Sequence, residues 1–287
     1  MTRVGGDIHI SKLVVKAGAR TLLKLDELRI AAGERVAIVG HNGAGKSTLL
    51  RVLGGLLIPG EGAVAVLGRD LRAPLSNRDE RAWRSQVGQV MQGLHMVARL
   101  SARENVLIGA LGRLSGWRSW TRLYPPGLVR EADEALALVG LHGRADMRCD
   151  RLSGGERQKL SIARLRLQRP RLILADEPTA NLDPAAAADA CQWLGAVAQG
   201  ATLITVVHQP ALLPLLADRV IGLRAGLQVF DLPLADVTPE RLRALYEADF
   251  EAGVPNDPLL VEPYASASAL KPAAPSTRRA GVACLPG

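Results

Sequence analysis

The chain has 287 residues, enough for one or two domains with a substantial buried core, and its 48% hydrophobic and 22% charged residues are the balance of a globular protein. A net charge of +8 permits binding to nucleic acid or to an anionic membrane surface, but the arginines are scattered, many beside Glu or Asp on helical segments, so a solvated basic surface and no nucleic-acid partner are expected. No apolar run approaches the ~18–20 residues a spanning helix needs, and Asp7 and His9 stand where a signal peptide would be apolar, which points to a cytosolic chain that meets a membrane at its surface or through a partner.

Ile8–Val15 and Leu25–Ile30 read as short strands ahead of a turn at Ala32–Glu34. Arg35–Val39 is a compact apolar strand, Gly40–Thr48 a glycine-bearing loop, and Ser47–Leu57 has helical spacing that stops before Pro59 and Gly60. Ala63–Leu67 and Val87–Met91 are further strands. Helices are predicted over Ala102–Leu111, Leu128–Val139 and Glu156–Gln168. A buried-type strand at Arg171–Ala175, a helix at Pro184–Val197 and an apolar strand at Ala201–Val207 follow, then a hairpin of Val220–Leu223 and Leu227–Phe230 turning through Ala225 and Gly226. Strands alternating with helices predict an α/β fold on a parallel sheet, interrupted by a helical insert over about residues 93–168. From Gly253 to Gly287 Pro, Ala and Ser dominate, which predicts a disordered tail behind a domain spanning 1–252. There is no internal repeat. Cys149, Cys191 and Cys284 lie far apart without metal-ligand spacing, as free thiols in a reducing compartment would.

Gly40-His41-Asn42-Gly43-Ala44-Gly45-Lys46-Ser47 fits the phosphate-binding pattern G-x-x-x-x-G-K-[ST], running into Thr48 at the start of a helix. Its glycines allow a tight turn that brings backbone N–H groups against phosphate oxygens, and the helix adds its positive N-terminal end. Lys46 supplies a point charge to the β and γ phosphates, and the Ser47 hydroxyl faces Mg²⁺. These residues are the candidate ATP-binding set. Leu172–Glu177 ends a buried strand in two carboxylates. Asp176 sits where a water bound to Mg²⁺ can be held, and Glu177 where it can polarise the attacking water. Leu152-Ser153-Gly154-Gly155-Glu156 then offers a second anion site: Ser153 caps a helix whose first N–H groups the glycines leave bare. One ATP does not need two such sites from one chain.

With these three motifs in this order, residues from about 8 to 235 closely resemble the ABC ATPase family. The resemblance implies a P-loop NTPase (RecA-like) core, an N-terminal antiparallel β subdomain and an inserted α-helical subdomain. Gln92 falls at the family's Q-loop, a magnesium and water contact; Asn181-Leu182-Asp183 matches the D-loop, with Asp183 near nucleotide; His208 stands where the family has its switch histidine. A head-to-tail homodimer follows, each ATP lying between one P-loop and the other copy's Ser153–Gly155 turn. One feature departs from the pattern. The family stacks an aromatic on adenine from the turn before the P-loop strand, and here that place falls on Ala17, with no Phe, Trp or Tyr before Trp83. Losing such a stack weakens base binding by about 1–3 kcal/mol, which puts base selectivity in doubt.

Glu104–Gly109, Leu111–Arg113, Trp117–Ser119 and Ala217–Asp231 are similar to segments of phosphonate-importer ATPases. That implies a subunit at the cytoplasmic face of the membrane, docked under permease subunits and served indirectly by an extracytoplasmic substrate-binding protein. ATPases of other importers or exporters share most of the motifs and remain the alternative. The ribosomal members carry two ATPase halves and the chromosome members long coiled coils or zinc insertions, neither visible here. A P-loop kinase or GTPase would have no use for Leu152–Glu156.

Overall fold

Hydrophobic alternation builds this chain around a sheet with a core on each face. The computed structural model describes residues 7–91, 96–114, 124–180 and 182–247. Gln92, Gly93, Trp117, Trp120, Asn181, Cys284 and the proposed tail over 253–287 lie outside the described residues.

The chain opens with an antiparallel pair, β1 (Ile8–Ala17) and β2 (Arg20–Ile30). Their turn is Gly18–Ala19, with Gly18 at φ 59° and Ala17 facing Arg20 across it. The predicted second strand began at Leu25. It starts five residues earlier because the alternation before Leu25 is broken by a bulge: Val15 faces Leu23 and Lys16 faces Thr21, leaving Leu22 as the extra residue. Next come β3 (Arg35–Val39), α1 (Lys46–Leu53), β4 (Glu61–Val66) and β5 (Arg69–Asp70). The helix stops four residues short of the predicted Leu57, since Gly54 caps it and Gly55 turns left-handed at φ 65°.

A helix that the periodicity did not reveal, α2 (Asn77–Gln86), leads into β6 (Val87–Val90). Its first turn is capped by Ser76, which accepts from the Asp79 N–H at 3.2 Å, and Trp83 is its single buried anchor. One anchor is too sparse a stripe to read as amphipathic. The helical insert supplies α3 (Ala102–Ile108), α4 (Pro126–Leu138) and α5 (Gly154–Gln168), which pack on one another. Then follow β7 (Leu172–Asp176), α6 (Pro184–Val197), β8 (Thr202–Val206), the short α7 (Leu213–Leu216), β9 (Arg219–Arg224), β10 (Leu227–Pro233) and α8 (Pro239–Glu247). β9 and β10 form the expected hairpin, with Ala225 and Gly226 both at positive φ, the two-residue turn that matches strand twist.

The ten strands run in the order β5-β4-β1-β2-β10-β9-β3-β8-β7-β6. β9, β3, β8, β7 and β6 are mutually parallel, and a single bridge, Leu227 to Lys24, joins this block to the antiparallel strands through β10. Along β3 the faces alternate as period two requires. Val36 and Ile38 enter a core with Leu23, Leu49, Leu50 and Trp83; Ala37 and Val39 enter a second core with Leu136, Leu160 and Leu194 from the helices. Each such fully buried Leu contributes about 1.5–3 kcal/mol. Among the described residues no helix is long and apolar enough to cross a membrane. Cys149 and Cys191 are free and buried, and burial pushes the Cys191 thiol up to about 12.

Candidate nucleotide site

β3 delivers the chain to the loop through three glycines at positive φ: Gly40 at 146°, Gly43 at 83° and Gly45 at 102°. At Gly40 the need is also steric, because a Cβ there would stand 2.1 Å from the Leu223 carbonyl oxygen on β9. Gly45 is the N-cap of α1, so the first N–H groups of that helix have no carbonyl within it to bond. Lys46 is the buried cation of the loop. Its Nζ donates to the carbonyls of Gly40 at 2.6 Å and His41 at 2.8 Å, which holds the loop around the ammonium. Burial lowers the Lys46 pKa, and the nearby Glu177 and Asp176 charges oppose that shift.

β7 ends at Asp176, buried among apolar strands, and desolvation raises its pKa, partly opposed by the Ser47 hydroxyl beside it. Asp176 Oδ1 is buried without a hydrogen-bond partner. A buried carboxylate oxygen left over beside a serine hydroxyl is a hard-oxygen set that fits Mg²⁺, which keeps water and phosphate ligands and needs few from protein. Glu177 follows at φ 52°, a left-handed backbone rare for a side chain of its size and costing about 1–3 kcal/mol. The strain turns its carboxylate away from the strand line and into the cleft. His208, two residues past the end of β8, brings Nε2 to 2.7 Å from Glu177 Oε1. Nε2 is buried, and the Glu177 carboxylate is the charged group it faces. The imidazole contact holds the Glu177 carboxyl below its ordinary range, against the effect of burial.

Of these groups Gly43, Gly45, Lys46, Ser47 and Glu177 line one cleft of about 440 Å³, together with Arg20, Leu22, Asn42 and Thr48, while Asp176 and His208 are not part of its lining. Of the other loop residues, Ala44 is buried in the core, while the His41 ring nitrogens face the Asn42 carbonyl and the Ala225 N–H. Ser153, Gly154 and Gly155 do not line the cleft. Ser153 caps α5 reciprocally with Glu156, its hydroxyl accepting from the Glu156 N–H at 3.1 Å while its own N–H donates to the Glu156 carboxylate at 2.8 Å. Asp183 also lies outside it, capping α6 by accepting from Ala186 N–H at 3.0 Å.

Three residues of the site had no motif to announce them. Arg20 and Leu22 reach the cleft from β2 because of the bulge. Tyr246 on α8 lies some two hundred residues away in sequence, yet its hydroxyl accepts from the Gly40 N–H at 3.3 Å. Only the broken alternation before Leu25 hinted at the first two; nothing local hinted at the third.

The chain matches the family model described as ABC transporter over residues 23–180. It is 40% identical over 236 residues to the phosphonates import ATP-binding protein PhnC 2 of Synechococcus sp., covering 81% of this chain and 87% of that one. To PhnC 1 of Ruegeria sp. it is 38% identical, covering 86% and 95%. A solved structure described as the dimeric post-hydrolysis state of the ATP-binding cassette MJ0796 bound to ADP and Pi superposes with a TM-score of 0.70 at 28% identity, covering 79% of this chain and 98% of that one. The cassette fold of cbiO1 from Clostridium perfringens matches with a TM-score of 0.68. By that family match and those relatives the chain belongs to the ABC transporter family, and it is folded as an ATP-binding cassette.

Proposed function

We propose that this chain is the ATP-hydrolysing subunit of a phosphonate importer, working as a pair beneath a membrane permease at the cytoplasmic face. The observation that carries the hydrolase reading is the single cleft in which the buried Lys46, Ser47 and a strained, ionised Glu177 converge. The substrate reading rests on similarity, along most of both chains, to proteins named for phosphonate import.

In this reading the N–H groups from Gly43 to Thr48 and the Lys46 ammonium bind the β and γ phosphates of ATP. Ser47 and Asp176, with Gln92, would hold Mg²⁺, which when bound neutralises phosphate charge. Glu177 accepts a proton from the attacking water, and His208 keeps that carboxylate oriented and ionised. The Ser153–Gly155 turn lies outside its own chain's cleft, which supports its serving the cleft of a second copy. Support for permease docking comes from a separate groove of about 540 Å³ between α2 and the helices α3 and α5, lined in part by Leu56, Trp83, Gln89 and Arg164. Leu56 in its lining is 52% exposed, apolar surface that suits a partner helix.

Growth on a phosphonate as the sole phosphorus source tests the substrate, in a deletion strain with no second phosphonate system and in the same strain with the gene restored. Loss and recovery of growth are expected. Normal growth and uptake in the deletion strain refute the substrate assignment and leave the ATPase assignment standing.

A further inference from the structure

The phosphate loop leaves the sheet where the strand ladder stops. β3 pairs with β8 as far as Ile38 opposite Val206, and with β9 as far as Val39 opposite Gly222. The Gly40 N–H is therefore the first backbone donor past the paired strand, and a donor partly buried there needs an acceptor. It finds the Tyr246 hydroxyl, 3.3 Å away on α8. The β9–β10 hairpin supports the loop at three further points. The Leu223 carbonyl stands against Gly40, the Ala225 N–H faces His41 Nε2 at 3.4 Å, and the Gly226 N–H donates to the Ala44 carbonyl at 3.1 Å. Those three use the backbone of the hairpin. The Tyr246 contact depends on a single side-chain oxygen.

α8 is firmly seated. Its Leu242 and Leu245 are buried in the core that holds Ala37 and Val39 of β3, and Tyr246 packs against the same core. α1, with Leu49 and Leu50 in the other core, lies on the opposite face of the sheet. Tyr246 thus reaches the loop from the face that α1 does not occupy. Burial raises the Tyr246 phenol above its ordinary value, partly opposed by the Gly40 N–H, so the hydroxyl is neutral. One residue separates this contact from the phosphate site. The Gly40 N–H donates to Tyr246, and the Gly40 carbonyl accepts from Lys46 Nζ at 2.6 Å. Gly40, at φ 146°, has no Cβ to restrict its two dihedrals, and these contacts on either side of it hold them in place.

We propose that Tyr246 is a positioning residue for the reaction: its hydroxyl holds the entry of the phosphate loop in the form that receives the β and γ phosphates. The inference rests on the hydrolase reading above. Without the hydroxyl the Gly40 N–H loses its acceptor, the loop samples other arrangements, and bound phosphate must supply the ordering. The loss falls on binding rather than on the step at the γ-phosphorus, because nucleotide once seated meets Lys46, Ser47 and Glu177 as in the wild type. It falls equally on any ligand with the same phosphates, because Tyr246 does not line the cleft.

The test uses the full-length protein as wild type, Tyr246→Phe and Leu242→Ala. Steady-state phosphate release gives kcat and KM. Calorimetric titration with ATP and with inorganic tripolyphosphate, each with Mg²⁺, gives affinity, and urea unfolding gives stability. Tyr246→Phe keeps the ring and its packing. It should raise KM and weaken both ligands by about three- to tenfold, with kcat within about twofold of wild type. Leu242→Ala loosens the seat of the same helix but keeps the hydroxyl. It should lower the urea midpoint and leave KM and both affinities within about twofold of wild type. Unchanged KM and affinities in Tyr246→Phe overturn the inference. So does a fall in kcat at unchanged KM, which would put the hydroxyl in the chemical step. A loss confined to ATP overturns it as well, and so does an equal rise in KM from Leu242→Ala, which would make the effect one of helix packing. Wild-type protein that binds neither ligand brings down the phosphate-loop reading itself, and this inference with it.

Discussion

Replacing Glu177 by Gln separates what the carboxylate does for catalysis from what it does for the fold. Gln keeps the length and shape of the side chain, so the strain at φ 52° is present in both proteins and cancels. The structural loss is the contact with His208, whose two side chains are 29% and 24% exposed. A partly solvated pair of this kind is worth at most about 1 kcal/mol, or a fall in Tm of roughly 2–4 °C for a domain of this size. The catalytic loss is far larger: a general base contributes about 10²–10⁴ in rate, equivalent to roughly 3–5 kcal/mol of barrier. Steady-state phosphate release should therefore drop by at least about a hundredfold while MgATP affinity and Tm stay close to wild type. The variant should also persist as an ATP-bound dimer on gel filtration. The pH dependence has a definite sign. Glu177 is held below its ordinary range in the fold, so its stabilising contact is present above the unfolded pKa and is lost as pH falls through the lower folded value. Its protonation should cost no activity at mildly acidic pH. Turnover within about threefold of wild type in the Gln variant would refute the assignment of Glu177 as the base.

Lys46→Ala should abolish measurable MgATP binding by titration, since it removes the cation held between the Gly40 and His41 carbonyls. Gly40→Ala and Gly43→Ala should differ sharply in urea unfolding. The first forces a Cβ to 2.1 Å from a β9 carbonyl and should cost about 1–3 kcal/mol or more, whereas the second meets nothing within 4 Å and pays only left-handed strain of about 1–2 kcal/mol. A chain ending at Ala252 should keep its stability and ATPase rate. One ending at Thr238 should lose about 3–6 kcal/mol, because it deletes the buried Leu242 and Leu245 of α8 together with the Tyr246 contact to Gly40.

The chemistry of the phosphate end was legible along the chain because it is local. Gly40 to Ser47 form a loop whose turn, charge and hydroxyl all lie within eight residues, and Asp176 and Glu177 are adjacent at the end of an unmistakable buried strand. β3, β7 and β8 were legible for a similar reason: their apolar runs are short, almost wholly buried and bounded by turns. The N-terminal hairpin was less so, because one bulged residue breaks the period on which such reading depends. Helix α2 was missed because a single tryptophan, packed with its indole N–H on the Val66 carbonyl at 3.1 Å, anchors it in place of a stripe. The left-handed backbone of Glu177 and its approach to His208 depend on β7 and β8 lying side by side, a pairing between segments far apart in sequence. The same holds for Arg20 against the loop and for Tyr246 against Gly40. A run of residues encodes its own turns and charges, but the partner each group meets is set by strand order and by a parity that one inserted residue reverses.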